Sequence, residues 1–155
     1  MKPLLFLLCI TLSFSCKNES KPVTEISETI TPEETPTIEG AWELVSYLNY
    51  RSDGAVDTIK TSNTNKQVKM YSASKVMWTR LRVSDSLDWF GYGDYTVKDG
   101  LLTEVLDYGS KAMNNVIKEQ KEFVFNIVLE KNKFSQIQVD DEGTPLYAEN
   151  YIRIE

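Results

Sequence analysis

Two glutamates, Glu104 and Glu149, are the residues here that could serve as an acid and a base, because a carboxyl pair is what hydrolysis of a glycosidic bond requires. Little else in the chain supports catalysis. There is no His, so the commonest general base and metal ligand is missing, and there are two Cys, neither placed for a disulfide framework. With no Gly-x-Ser-x-Gly elbow, acyl transfer and proteolysis also lack their parts. Asp85-Ser86-Leu87-Asp88 and Asp140-Asp141-Glu142 offer carboxylate oxygens but not the alternating ligands and central Gly of a calcium loop, and they read as solvated turns. The expectation is a non-enzyme with no cofactor and no metal.

A second constellation points to recognition rather than reaction. Trp78, Arg80, Tyr95, Glu104, Tyr108, Phe125, Gln136, Glu149 and Tyr151 combine aromatic faces with a few polar heads, as the walls of small-molecule pockets do. An inward Arg80 would need a partner, which Glu104 or Glu149 could supply. The alternative is that these charges face water on an outer wall while apolar residues fill the core, since Lys, Glu and Arg are rarely fully buried.

Whether these side chains meet depends on the elements carrying them. From Ile38 onward short alternating runs rich in Val, Ile, Tyr, Phe and Trp, bounded by turn residues, predict antiparallel strands. Eight are legible: 38–50, 67–71, 75–83, 89–97, 101–108, 122–130, 133–139 and 145–154. Lys98-Asp99-Gly100, Lys131-Asn132 and Asp141-Glu142-Gly143 are tight hairpin turns, and consecutive hairpins make a meander. Such a meander loses its exposed edges by closing into an up-and-down barrel, whose interior at this size is either filled by side chains or holds one small ligand. Ala112, Met113, Val116 and Ile117 fall at helical spacing, so a short helix is expected within 111–120, and 50–66 reads as a long polar loop. If Trp42 points inward, Leu44, Ser46 and Leu48 should follow it; parity on the other strands stays open.

The domain, 38–155, is one core's worth of chain. Ahead of it, 1–15 reads as a cleaved leader: Lys2 precedes an apolar stretch from Leu4 to Phe14, and its eleven residues would reach only about 16 Å as a helix, too short to span a bilayer. Residues 16–37 read as an N-terminal anchor and disordered linker, with a composition of Glu, Thr, Ser and Pro unable to bury enough apolar area. Fully extended, 17–37 would reach roughly 70 Å, and as a coil about 25 Å. Seventeen Lys and Arg against twenty-three Asp and Glu give a net charge of −6, which disfavours nucleic acid as a partner.

Leu12-Ser13-Phe14-Ser15-Cys16 resembles the lipobox of bacterial lipoproteins. The resemblance implies cleavage before Cys16, acylation of its sulfur and attachment to a membrane through that lipid; two or more chains hold stably where one is marginal. An ordinary secretory leader would more often end in an Ala-x-Ala-like site. Cys16-Lys17-Asn18-Glu19 is similar to signals that carry lipoproteins to the surface of the outer membrane, although any Glu-rich linker gives the same pattern, and a periplasm-facing position stays open. Asp57-Thr58-Ile59 and Asp85-Ser86-Leu87 are similar to the acceptor tripeptide of a bacterial O-glycosylation system.

Gly40-Ala41-Trp42 on the first strand of an all-β domain resembles the opening of the lipocalins and the wider calycin group. Gly91-Tyr92-Gly93-Asp94-Tyr95, Leu102-Thr103-Glu104 and Glu149-Asn150-Tyr151-Ile152-Arg153 are similar to motifs of small bacterial lipocalin-like families. The resemblance implies that Trp42 closes one end of an eight-stranded barrel beneath Arg153. It also implies an envelope protein taking up a small apolar or amphipathic molecule. The alternative is a filled scaffold that contacts another envelope protein, with Trp89, Phe90 and Tyr92 as the candidate patch.

Overall fold

The computed structural model describes residues 35–155, so the expected leader, Cys16 and linker residues 17–34 lie outside the described residues. The described chain forms β1 (Gly40–Tyr50), β2 (Val56–Lys60), β3 (Asn65–Tyr71), β4 (Lys75–Arg82), β5 (Trp89–Lys98), β6 (Leu101–Gly109), α1 (Lys111–Glu119), β7 (Glu122–Leu129), β8 (Lys133–Val139) and β9 (Pro145–Arg153). From β3 to β9 each strand pairs antiparallel with the next in sequence, and β1 pairs with both β3 and β9. The sheet therefore closes as an eight-stranded antiparallel barrel, with β2 as an added ninth strand.

Turn chemistry sets the meander. Between β5 and β6, Asp99 and Gly100 both take positive φ, 52° and 78°, as a two-residue hairpin whose twist matches its strands requires. Between β8 and β9, Asp140 accepts hydrogen bonds from the backbone N–H of Glu142 and Thr144. Before β5, Asp85 accepts from the Leu87 N–H and the Trp89 indole and pairs with Arg82. Both acidic runs thus act as turn caps.

The stretch read as a loop at 50–66 is a correction. Ser52-Asp53-Gly54 makes a hairpin turn, with Gly54 at φ +83° and the Gly54 N–H donating to the Arg51 carbonyl, and β2 returns along the second half of β1. β3 pairs with the first half of the same flank of β1. The strand escapes hydrophobic periodicity because all five of its residues are exposed.

One end of the barrel is packed solid. Trp42 is fully buried, its indole donates to the Ile38 carbonyl at 2.7 Å, and its ring meets Phe134 edge-on at 4.9 Å. Phe134 stacks on Tyr151 at 4.5 Å, and Tyr71, Val76 and Leu102 complete the plug. The Arg153 guanidinium lies over the Trp42 ring, 4.1 Å from its centroid, and donates to the carbonyls of Thr37, Glu39 and Lys131. The first strand and the last are thereby locked together at their ends.

Two bulges reset which residues face inward. In β1 the register with β9 slips at Val45: Leu44 opposes Tyr151, but Ser46 opposes Asn150 and Tyr47 opposes Glu149. Ser46 and Leu48 therefore turn outward and Tyr47 inward, where it stacks on Tyr147 at 5.4 Å. In β6 an extra residue at Asp107 brings Tyr108 opposite Tyr92 on the outer wall.

Replacing Arg153 with Ala should remove the cover of Trp42 and leave three carbonyls without a donor. The urea midpoint is expected to fall by an equivalent of about 1–3 kcal/mol at unchanged slope; an unshifted midpoint would show that the cap does not stabilise the closure.

Candidate functional site

Above the plug the interior becomes polar. Inward positions are Gln67 and Lys69 on β3, Arg80 on β4, Glu104 on β6, Gln136 on β8 and Glu149 on β9, brought in by strand alternation from five strands around the circumference. Lys69 and Glu104 are each only 3% exposed and pair at 2.8 Å. Arg80, at 26%, pairs with Glu149 at 2.8 Å.

These groups form one hydrogen-bonded chain. Arg80 Nε donates to Gln67 Oε1, and Gln67 Nε2 donates to the Tyr151 hydroxyl and to Glu149. The Tyr151 hydroxyl donates to Glu149 Oε2 at 2.6 Å, and Gln136 Nε2 reaches the same oxygen at 2.9 Å. Lys69 Nζ donates to Gln136 Oε1 and Glu104 Oε1, both at 2.8 Å, and the Tyr71 hydroxyl donates to Glu104 Oε1 at 2.6 Å. Among the described residues no fully enclosed side-chain nitrogen or oxygen lacks a partner. A buried polar network is stable only on that condition.

Burial, followed by the neighbouring carboxylate, keeps the phenols protonated and donating. Both effects hold Tyr71, beside Glu104, and Tyr151, beside Glu149, well above the ordinary value. Tyr147 is pushed up to about 12, first by burial and then by Glu149.

Over this floor lies an open cavity of about 230 Å³. Its walls are Trp78, Trp89, Phe123, Phe125, Tyr147 and Leu106, with Met113 and Val116 of α1 at the rim. Trp78 lies flat against Gly91, where a Cβ would sit 2.9 Å from the indole, so the glycine makes room for the ring. Ser110 caps α1 by accepting from the Met113 N–H, and Asn114 accepts from the Gly109 N–H, which fixes the helix against the end of β6.

Six of the nine residues singled out from the sequence, Trp78, Arg80, Glu104, Phe125, Gln136 and Glu149, meet around this one cavity. Tyr151 sits below it within the hydrogen-bonded floor. Tyr95 is placed elsewhere: it packs on Tyr71 at the plugged end and donates to the Ser72 carbonyl, because the aromatic plug fills the barrel at its level. Tyr108 is outside and 55% exposed, carried there by the Asp107 bulge. The outer-wall alternative does not hold for Arg80, Glu104 and Glu149. Gln67, Lys69 and Tyr71 escaped sequence reasoning because in Gln67-Val68-Lys69-Met70-Tyr71 the polar residues point in and Val68 and Met70 point out, against the usual rule.

No protein-family model matches this chain, and no curated protein matches it. Among solved structures it is similar to an uncharacterized protein from Bacteroides eggerthii DSM 20697, whose crystal structure was determined at 2.60 Å resolution. The identity is 17%, the match covers 74% of this chain and 98% of that one, and the TM-score is 0.48.

Lys69→Met should cost about 3–5 kcal/mol in denaturant unfolding by leaving Glu104 buried without its cation, and adding Glu104→Leu should recover part of that loss. A Lys69 variant as stable as the parent would contradict the account of the floor. The phenols give a second expectation. Tyr71, Tyr147 and Tyr151 have higher pKa values folded than unfolded, so the folded chain holds protons that the unfolded chain releases. Their contribution is complete below the ordinary tyrosine value of 10.0 and is lost as pH rises through the folded value, about 12 for Tyr147. Unfolding free energies measured across that window should fall, and less steeply in Tyr147→Phe.

Proposed function

We propose that this chain is a non-catalytic envelope lipoprotein, held through lipid on Cys16 at the bacterial outer membrane, whose lipocalin-like barrel binds a small amphipathic molecule in its interior. The observation that carries this reading is the charged floor, in which no fully enclosed polar atom lacks a partner, beneath an aromatic-walled opening. A barrel serving only as a scaffold gains little stability from such a floor, because well-packed apolar residues of similar volume in place of buried ion pairs are often neutral or stabilising. Glu149, saturated by four donor groups, and Glu104, held by Lys69 and Tyr71, are poor candidates for an acid and base pair. The volume, about 230 Å³, is below the roughly 300–1,000 Å³ of drug-sized ligand pockets, which favours a single ring or short chain over a long acyl tail.

A second reading has its own observation. On the outer wall Val68, Met70, Met77, Phe90, Tyr92 and Tyr108 gather across β3 to β6 as a shallow apolar surface, with Phe90 and Tyr92 in it and Trp89 turned toward the cavity. A face of this kind supports contact with another envelope protein, with the barrel as its support.

Native mass spectrometry of the protein released from its own membrane separates the two. The first reading expects a stoichiometric small molecule, lost in Val116→Trp, which blocks the rim without touching the floor. An empty barrel, together with a crosslinked partner that Met77→Asp abolishes, would establish the second.

A further inference from the structure

The floor is closed to a ligand at nearly every polar atom, and the exceptions define what it can receive. Of the four oxygens of the two buried carboxylates, Glu149 Oε1 accepts from Arg80, Glu149 Oε2 accepts from Gln67, Gln136 and Tyr151, and Glu104 Oε1 accepts from Lys69 and Tyr71. Glu104 Oε2 accepts from no described residue, although the side chain is 97% buried and lines the cavity. On the donor side, Arg80 commits Nε to Gln67 and Nη2 to Glu149, and its Nη1 has no partner among the described residues. The ionic groups of the cavity therefore leave one free acceptor, Glu104 Oε2, and one free guanidinium donor, Arg80 Nη1, beneath walls whose Trp78 indole N–H and Tyr147 hydroxyl are also unpartnered among the described residues.

Charge decides the rest. Among the described residues the ionic groups lining the cavity are Lys69, Arg80, Glu104 and Glu149, two of each sign and already paired. An anion or a cation entering would be desolvated without a counter-charge, the expensive case for a low-dielectric interior, whereas a neutral donor and acceptor would be satisfied where they stop. We propose that the ligand is an uncharged, ring-sized molecule carrying both a hydrogen-bond donor, taken by Glu104 Oε2, and an acceptor, met by Arg80 Nη1. This rests on the interior cavity being the binding site. The hydrogen-bonding requirement also separates it from a purely apolar guest, for which the two free atoms would be left unpaired beneath a dry surface.

A series on one body tests the class: para-hydroxybenzamide, para-hydroxybenzoate, para-hydroxybenzamidine and para-xylene, titrated into the folded domain and followed by indole fluorescence of Trp78 and Trp89 with calorimetry. The neutral amide should bind at least about tenfold more tightly than each of the other three, and Glu104→Gln should weaken the amide by about tenfold or more, as expected for a hydrogen bond to a charged group. Should Glu104→Gln not fold, Arg80→Lys, which keeps a cation for Glu149 but loses the free Nη1, is expected to weaken the amide likewise. Binding of either ion or of para-xylene as tight as the amide would overturn the proposed ligand class and leave the cavity as the site. Failure of all four to bind would overturn both.

Discussion

The pairing of Lys69 with Glu104 in the middle of the barrel is the interaction on which the remaining interior depends. An ammonium and a carboxylate so deeply buried are tolerated only if each finds further partners, and those partners are Gln136 and Tyr71. Gln136, used on one side by Lys69, donates on the other to Glu149, which in turn requires Tyr151, Gln67 and Arg80. Five strands are thus joined by side chains as well as by their ladders. Below this level the barrel is filled by aromatic rings, and above it the walls stand apart.

That division explains what was legible in the sequence. The strands follow from alternation and turn chemistry, so eight of the nine lie close to where the pattern puts them, and α1 follows from the spacing of Met113, Val116 and Ile117. The Trp42 and Arg153 contact was legible through a resemblance tied to the two ends of the domain. The Asp53-Gly54 turn ahead of β2 was a readable signal, but the strand after it presents no apolar face.

The inward set was harder to read because two bulges, at Val45 and Asp107, each reverse the parity of the strand beyond them. No periodic count carries a residue such as Tyr47 or Tyr108 correctly across a bulge. Lys69 was hidden for a different reason: burying it makes sense only once Glu104, thirty-five residues away, is known to lie opposite. Pairing across the barrel is information that one strand does not contain.

The inverted pattern of β3 has a consequence for folding. A slip of this strand by a single residue would place Val68 and Met70 inside and return Gln67 and Lys69 to water, at the loss of Tyr71 from the plug, so apolar area is gained and lost together. Apolar burial here does not select the alignment. What rejects that competing arrangement is the set of charges left stranded by it: Glu104 would lose its cation, and Arg80 and Glu149 would lose the amide between them. In this part of the molecule polar groups decide which structure forms, and greasy ones would settle for either.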